Sequence, residues 1–236
     1  MEDADVETSS AAYALRFSGA VGGWFLDVQS EATVALLRPF PGARVVDVGG
    51  GHGQLAGPLA RAGYDVTVVG SSEACGARVR PLVDGGQVRF QTADLLRLPF
   101  EARAFDVALA FRLLSHVARW RELVAELCRV AARAVIIDYP SRRSVNAVAG
   151  PLFGMKKGVE GDTRPFAVFD DGDVTAAFAA EHFRVADRRP QFAAPMALHR
   201  ALRIAAVSRG LERAARAAGI TSRLGSPVIV RADRLG

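Results

Sequence analysis

The chain has 236 residues, half of them hydrophobic and fewer than a quarter charged, which suits a globular domain with a sizeable core and excludes a disordered one. A formal charge of +5 and a pI near 9.8 raise the question of nucleic acid. The bases are scattered and not interleaved with aromatics, so no nucleic-acid partner is expected.

In chain order, the opening MEDADVETSSAAY holds Glu2, Asp3, Asp5 and Glu7 and no base, the reverse of a secretory leader; residues 1–12 read as a flexible acidic tail before a single domain over 13–236. Strand-like runs follow at Arg44–Val48, Asp65–Val69, Gln87–Phe90, Phe105–Ala110 and Arg133–Asp138. Helical spacing separates most of them, most clearly at Arg119–Val130, where Trp120, Leu123, Val124, Leu127 and Val130 share a stripe. This alternation predicts an α/β fold, doubly wound, with helices on both faces of the sheet. Pro140 to Phe169 reads as a long irregular segment, followed by a helix from Asp170 or Asp171 to His182. Strands return at Phe183–Asp187 and Pro227–Ala232, with a helical stretch of roughly Met196 to Ala218 between them. Arg, Asp or Glu interrupts every apolar run before membrane-spanning length. With only Cys75 and Cys128, no disulfide framework is implied and a cytoplasmic location is expected.

The stretch VVDVGGGHGQL from Val45 to Leu55 carries the chemistry. A strand running into Gly49, Gly50, Gly51 and Gly53 and then a helix allows close backbone approach to a ligand at a helix start. The dinucleotide pattern can be laid on Gly51, Gly53 and Ala56. Asp47 argues against it, because a buried carboxylate beside a diphosphate repels it, whereas the same carboxylate suits a cation.

VVDVGGGHG resembles the first motif, V-x-D-x-G-x-G-x-G, of the class I S-adenosylmethionine-dependent methyltransferases. GYDVTVVGSSEAC, QTADLLRLPF, FDVALAFRLLSHVARWRELVAELCRV and ARAVIIDYP resemble the family's later strands in order, so the likeness covers about Tyr13 to Tyr139, a cofactor-binding core over 13–139, leaving 140–236 as substrate-side segments and closing strands. The resemblance implies S-adenosylmethionine as cofactor, with Asp47, Gly49, Gly51 and Gly53 at its amino-acid part and Asp94 and Leu95 at its adenine; Asp94 equally reads as a helix cap. Phe111 falls where residues after the fourth strand line the cofactor. One departure stands out: where the family has an acid for the ribose hydroxyls, this chain has Gly70, with the Ser71 hydroxyl or water as the substitute.

For transfer to a hydroxyl oxygen, His116 after the fourth strand is the candidate catalytic base, or else a histidine that holds its loop. No metal ligands are assigned. Tyr13, Arg16 and Phe17 are placed near the cofactor, and Tyr139, Phe153, Met155 and Phe166 are candidates for an apolar acceptor cavity. Arg209, Arg213 and Arg216 follow helical spacing, as a solvated face or as a contact for an anionic or lipid-linked acceptor or a membrane surface. The expected function is methyl transfer to a small molecule; the alternative is a scaffold or regulator of the same fold that transfers nothing.

Overall fold

The structure, a computed structural model, describes residues 3–144, 167–202 and 204–236. Seven strands form one sheet: β1 (Arg44–Val48), β2 (Asp65–Gly70), β3 (Arg89–Thr92), β4 (Phe105–Ala110), β5 (Ala131–Tyr139), β6 (Phe183–Phe192) and β7 (Ser226–Arg234), in the order β3-β2-β1-β4-β5-β7-β6. The first five run parallel, while β7 enters antiparallel between β5 and β6. Strand order reverses between β1 and β4, and in open parallel sheets the crevice beyond the strand ends at such a point is where ligands bind. The central strands are buried on both faces, which is why β1, β4 and β5 read as apolar runs and not as alternating ones.

Helices α1 (Ala4–Thr8), α2 (Ala11–Leu15) and α3 (Gly19–Leu37) precede the sheet. The crossovers carry α4 (Ala56–Arg61), α5 (Arg80–Asp84) and α6 (Trp120–Val130), and α7 (Asp171–Ala180) leads into β6. The predicted stripe of α6 is the buried one, Leu123, Val124, Leu127 and Val130, with Trp120 edge-on to Phe169 at 5.2 Å. Helix α3 buries Val21, Phe25, Gln29, Thr33 and Leu37. Its polar Gln29 and Thr33 break the apolar spacing, so the sequence pattern conceals it.

Three expectations shift. The third strand lies at Arg89–Thr92, two residues later than its apolar run, because it is an edge strand whose residues are mostly exposed. The last two strands outrun their apolar cores because backbone pairing continues: β6 follows β7 down to Phe192, past an irregularity at Val185/Asp187, with Pro190 tolerated on the sheet edge. The stretch expected as one helix divides into α8 (Met196–Leu202) and α9 (Ala205–Ala217), broken at extended Ile204, with α10 (Ile220–Leu224) following Gly219 at φ +71°. Residues 145–166, which include Phe153, Met155 and Phe166, lie outside the described residues. No helix among the described residues is long and apolar enough to cross a membrane.

Phe178 of α7 is fully buried in the apolar layer shared with α6 and β5. Phe178→Ala should lower unfolding stability by about 3–5 kcal/mol. Urea unfolding with an unchanged m value checks this; a loss under about 1 kcal/mol would contradict the packing described.

Candidate functional site

Beyond β1 the backbone turns through Gly49 at φ +73° and Gly53 at φ +76°, on either side of a single 3-10 turn, Gly50–His52. Glycine is required at 49 and 53 by backbone conformation, and at 50 and 51 by space. A Cβ on Gly50 would lie 2.2 Å from Asp47 Oδ2, and one on Gly51 2.3 Å from the Cys75 carbonyl oxygen. Asp47 beneath this loop is fully buried, and neither carboxylate oxygen has a hydrogen-bond partner among the described residues. Burial, then the neighbouring Asp138, pushes its pKa up to about 7.

Asp138 closes β5 in the same way. Burial lifts it to about 6, against the backbone N–H of Arg112, which donates to Oδ1 at 2.6 Å, and Gln29 Nε2, which donates to Oδ2 at 3.0 Å. Arg112 adopts φ +55°, in the left-handed region, lays its guanidinium 3.7 Å from the Phe17 ring centroid, and donates to Gln29 Oε1 at 3.0 Å. Gln54 Nε2 donates to the same oxygen. His52 stays neutral, its pKa lowered to about 3 by burial and then by Arg112. Two buried acids with one neighbouring guanidinium make a place that favours an added cation, and the glycines let that cation's backbone partners come close.

On the β2 side, a Cβ at Gly70 would meet Cys75 Cβ at 2.8 Å and the Phe90 ring at 3.1 Å, so an acid has no room there. The Ser71 backbone N–H donates to Asp5 Oδ2 at 2.8 Å. The acidic start is therefore not a loose tail. Residues 4–8 form α1, and Ala4, Asp5 and Thr8 are buried against the glycine loop and the turn after β2. Alanine and threonine supplied the missing burial, which a count of charges does not register. Asp94 is half-buried and accepts from the Leu96 N–H at 3.1 Å within a turn; among the described residues no helix follows it before β4, so the helix-cap expectation is not met. Leu95 and Phe111 are fully buried on opposite faces of the sheet, Leu95 with Val48 and Val69, Phe111 with Leu55 and Leu109. Glu73 turns outward to Thr92 and Arg80.

A cavity of about 820 Å³ opens beyond Asp138. Tyr13, Phe17, Phe25, Phe192 and Met196 give it apolar walls, and Arg112, His116 and Asp138 its polar corner. His116 ends a short 3-10 turn, Leu114–His116, and is only partly buried, so its ring stands within reach of a cavity ligand. Tyr139 is not a wall: it is buried in the core and its hydroxyl donates to Asp171 Oδ1 at 2.9 Å. Arg16 lies 4.0 Å from Glu7 and over the Tyr13 ring. The Phe192–Met196 wall is fixed by buried Glu212 of α9, which accepts from the N–H groups of Ala193 and Ala194, each at 2.9 Å, and meets His199 Nε2 at 2.9 Å. Arg209, Arg213 and Arg216 are on the exposed face of α9, and Arg216 donates to the Gln191 carbonyl at 3.1 Å.

Sequence reasoning had not singled out Gln29, Arg112 or Asp138. Asp138 had a signal, since VIIDYP repeats the pattern of an acid ending an apolar strand seen in VVDVGG. Gln29 and Arg112 carried none.

A glycine cradle over a buried acid lies at the strand-order reversal of a parallel sheet, a crevice where ligands bind in open α/β folds. Residues 45–134 match the family model described as "Methyltransferase domain". The chain is 33% identical over 100 residues to an O-methyltransferase of Pyrenophora dematioidea, covering 40% of this chain and 37% of that protein. It is 38% identical over 86 residues to a ubiquinone biosynthesis O-methyltransferase of Paramagnetospirillum magneticum, covering 35% and 34%. These matches span well under half the length of those relatives. Among solved structures, magnesium protoporphyrin IX methyltransferase of Synechocystis PCC 6803, with bound S-adenosylhomocysteine, aligns over 97% of both chains at TM-score 0.67 and 19% identity. The [4+2]-cyclase SpnF aligns over 87% of this chain and 80% of its own at TM-score 0.60 and 18% identity, so the fold alone leaves the reaction open. The matched segment, residues 45–134, is similar to a methyltransferase domain, and the whole chain shares its fold with the solved methyltransferase.

An ionised Asp47 is costly in the free protein, and its folded pKa lies above the ordinary carboxylate value. The stability this group contributes is therefore full below the ordinary carboxylate value of 3.8, falls as pH rises toward about 7, and levels off above it. Asp47→Asn should raise the melting temperature by a few degrees at pH 8.5 and by roughly half as much at pH 5.5, midway between the unfolded and folded values. Thermal scans at the two pH values check this; a loss of stability at pH 8.5 would contradict the described environment.

Proposed function

We propose that the chain transfers a methyl group from S-adenosylmethionine to a hydroxyl oxygen of a small molecule held in the 820 Å³ cavity. The observation that carries this reading is the pair of buried acids, Asp47 under the glycine loop and Asp138 on the cavity wall, which joins a cation-favouring cradle to an acceptor pocket. The bound cofactor supplies a methyl carbon activated by its sulfonium. Asp47, Gly49, Gly51 and Gly53 would hold its amino-acid part, with Ser71, Asp94 and Leu95 toward its adenosine. Phe111 supports that floor from within the core. The likeness to proteins named O-methyltransferases supports oxygen as the acceptor atom.

The chain's own part in such a reaction is alignment and exclusion of water. Aromatic walls from α3 and β6 strip water from the acceptor, Arg112 and Gln29 fix the Asp138 carboxylate, and His116 takes the hydroxyl proton as the oxygen attacks. The acceptor's further chemistry, anionic or lipid-linked, is suggested by the exposed basic face of α9 at Arg209, Arg213 and Arg216, which is suited to an anionic membrane surface. A cytoplasmic location fits the two free buried cysteines.

A second reading, a scaffold of this fold that transfers nothing, is favoured by the closed space at Gly70 and by Asp5 bonded to Ser71. Incubation with S-adenosylmethionine and a panel of hydroxylated acceptors, read by mass spectrometry for S-adenosylhomocysteine and a methylated product, separates the two. His116→Ala should lower kcat about 10²–10⁴-fold with little change in KM for the cofactor. Retained kcat removes His116 as base, and no product with any acceptor despite cofactor binding favours the scaffold. Replacing Arg209, Arg213 and Arg216 together should weaken binding to anionic vesicles; unchanged binding removes the surface contact.

A further inference from the structure

Helix α1 stands on the ground assigned to the cofactor. Ala4 is fully buried in the apolar cluster that holds Val48, Val69, Leu95 and Leu113. Asp5, also fully buried, takes the Ser71 N–H, and its Cβ lies 3.5 Å from where a Cβ on Gly49 would be. Ser9 Oγ lies 2.5 Å from where a Cβ on Gly51 would be. The close approach that the glycines permit is thus used by this segment, and a ligand cannot take the same backbone surface at the same time.

The segment is also a poor permanent occupant. Asp5 Oδ1 and Ser9 Oγ are buried without hydrogen-bond partners among the described residues, and a five-residue helix has little stability of its own. A ribose presents hydroxyl donors and acceptors to the same surface and leaves fewer groups unpaired.

We propose that residues 3–9 are an intramolecular competitor for the cofactor site at the glycine loop and the turn after β2, seated while the site is free and displaced when the cofactor binds. This rests on the methyltransferase reading. The measured affinity for the cofactor is then the intrinsic one reduced by the fraction of molecules in which α1 is undocked.

The test uses the full chain and S-adenosylhomocysteine. Ala4→Glu puts a charge into the apolar cluster and undocks α1 without altering any residue placed at the cofactor. Calorimetry should find binding at least ten-fold tighter than in the wild type. In the wild type, hydrogen exchange of residues 3–9 should rise on adding the ligand. Equal affinity of the two proteins, or added protection of residues 3–9, overturns the competitor and makes α1 inert or a closing lid. Absence of binding by both folded proteins overturns the cofactor reading itself, an outcome distinct from equal measurable affinity.

Discussion

Two carboxylates end strands on either side of β4, Asp47 on β1 and Asp138 on β5, and both lie out of water. Neither position pays in stability: an apolar residue at the end of a central parallel strand would pack better, and Asp47 has no partner for either oxygen among the described residues. Their retention imposes much of what surrounds them. The glycine loop must fold tightly over Asp47, Gln29 must break the apolar face of α3 to reach Asp138, and Arg112 must adopt a left-handed backbone to deliver its N–H. An environment that holds two acids near neutrality responds to a cation by ionising them, which would couple cation binding to proton release.

The rest of the molecule divides the crevice into two rooms. Toward β2, small residues and α1 close over the loop, and Phe90 and Cys75 leave no room for an acid at Gly70. Toward β5, the antiparallel entry of β7 and the extension of β6 carry Phe192 to the sheet edge, where Glu212 pins the following turn and α8. The cavity therefore owes its wall to segments late in the chain, while its floor, Asp138 and Arg112, belongs to the parallel half of the sheet. His116 sits at the seam between the two.

The core strands were legible because burial on both faces writes an unbroken β-branched run, and α6 because its stripe is purely apolar. Asp47 and the glycines were legible because a charge and four glycines in that place have few uses. What stayed hidden depends on tertiary pairing. Gln29 and Arg112 matter only because α3 brings one beside the other, and α1 is buried through Ala4 and Thr8, which look neutral in sequence. The tail's charges suggested solvent, yet Asp5 finds a backbone N–H sixty-six residues away. Tyr139 ended a strand as a wall residue would, but its side chain alternates inward to Asp171.

The central claim, that the buried acids make the glycine loop a cation site, is tested most directly by calorimetry of S-adenosylmethionine against S-adenosylhomocysteine from pH 5.5 to 8.5 in buffers of different ionisation heat. The account predicts binding that strengthens as pH rises through about 6 to 7, levels off above, and releases protons, for both ligands, since both carry the α-ammonium. Binding of either ligand that is independent of pH, or that weakens as pH rises, would contradict it.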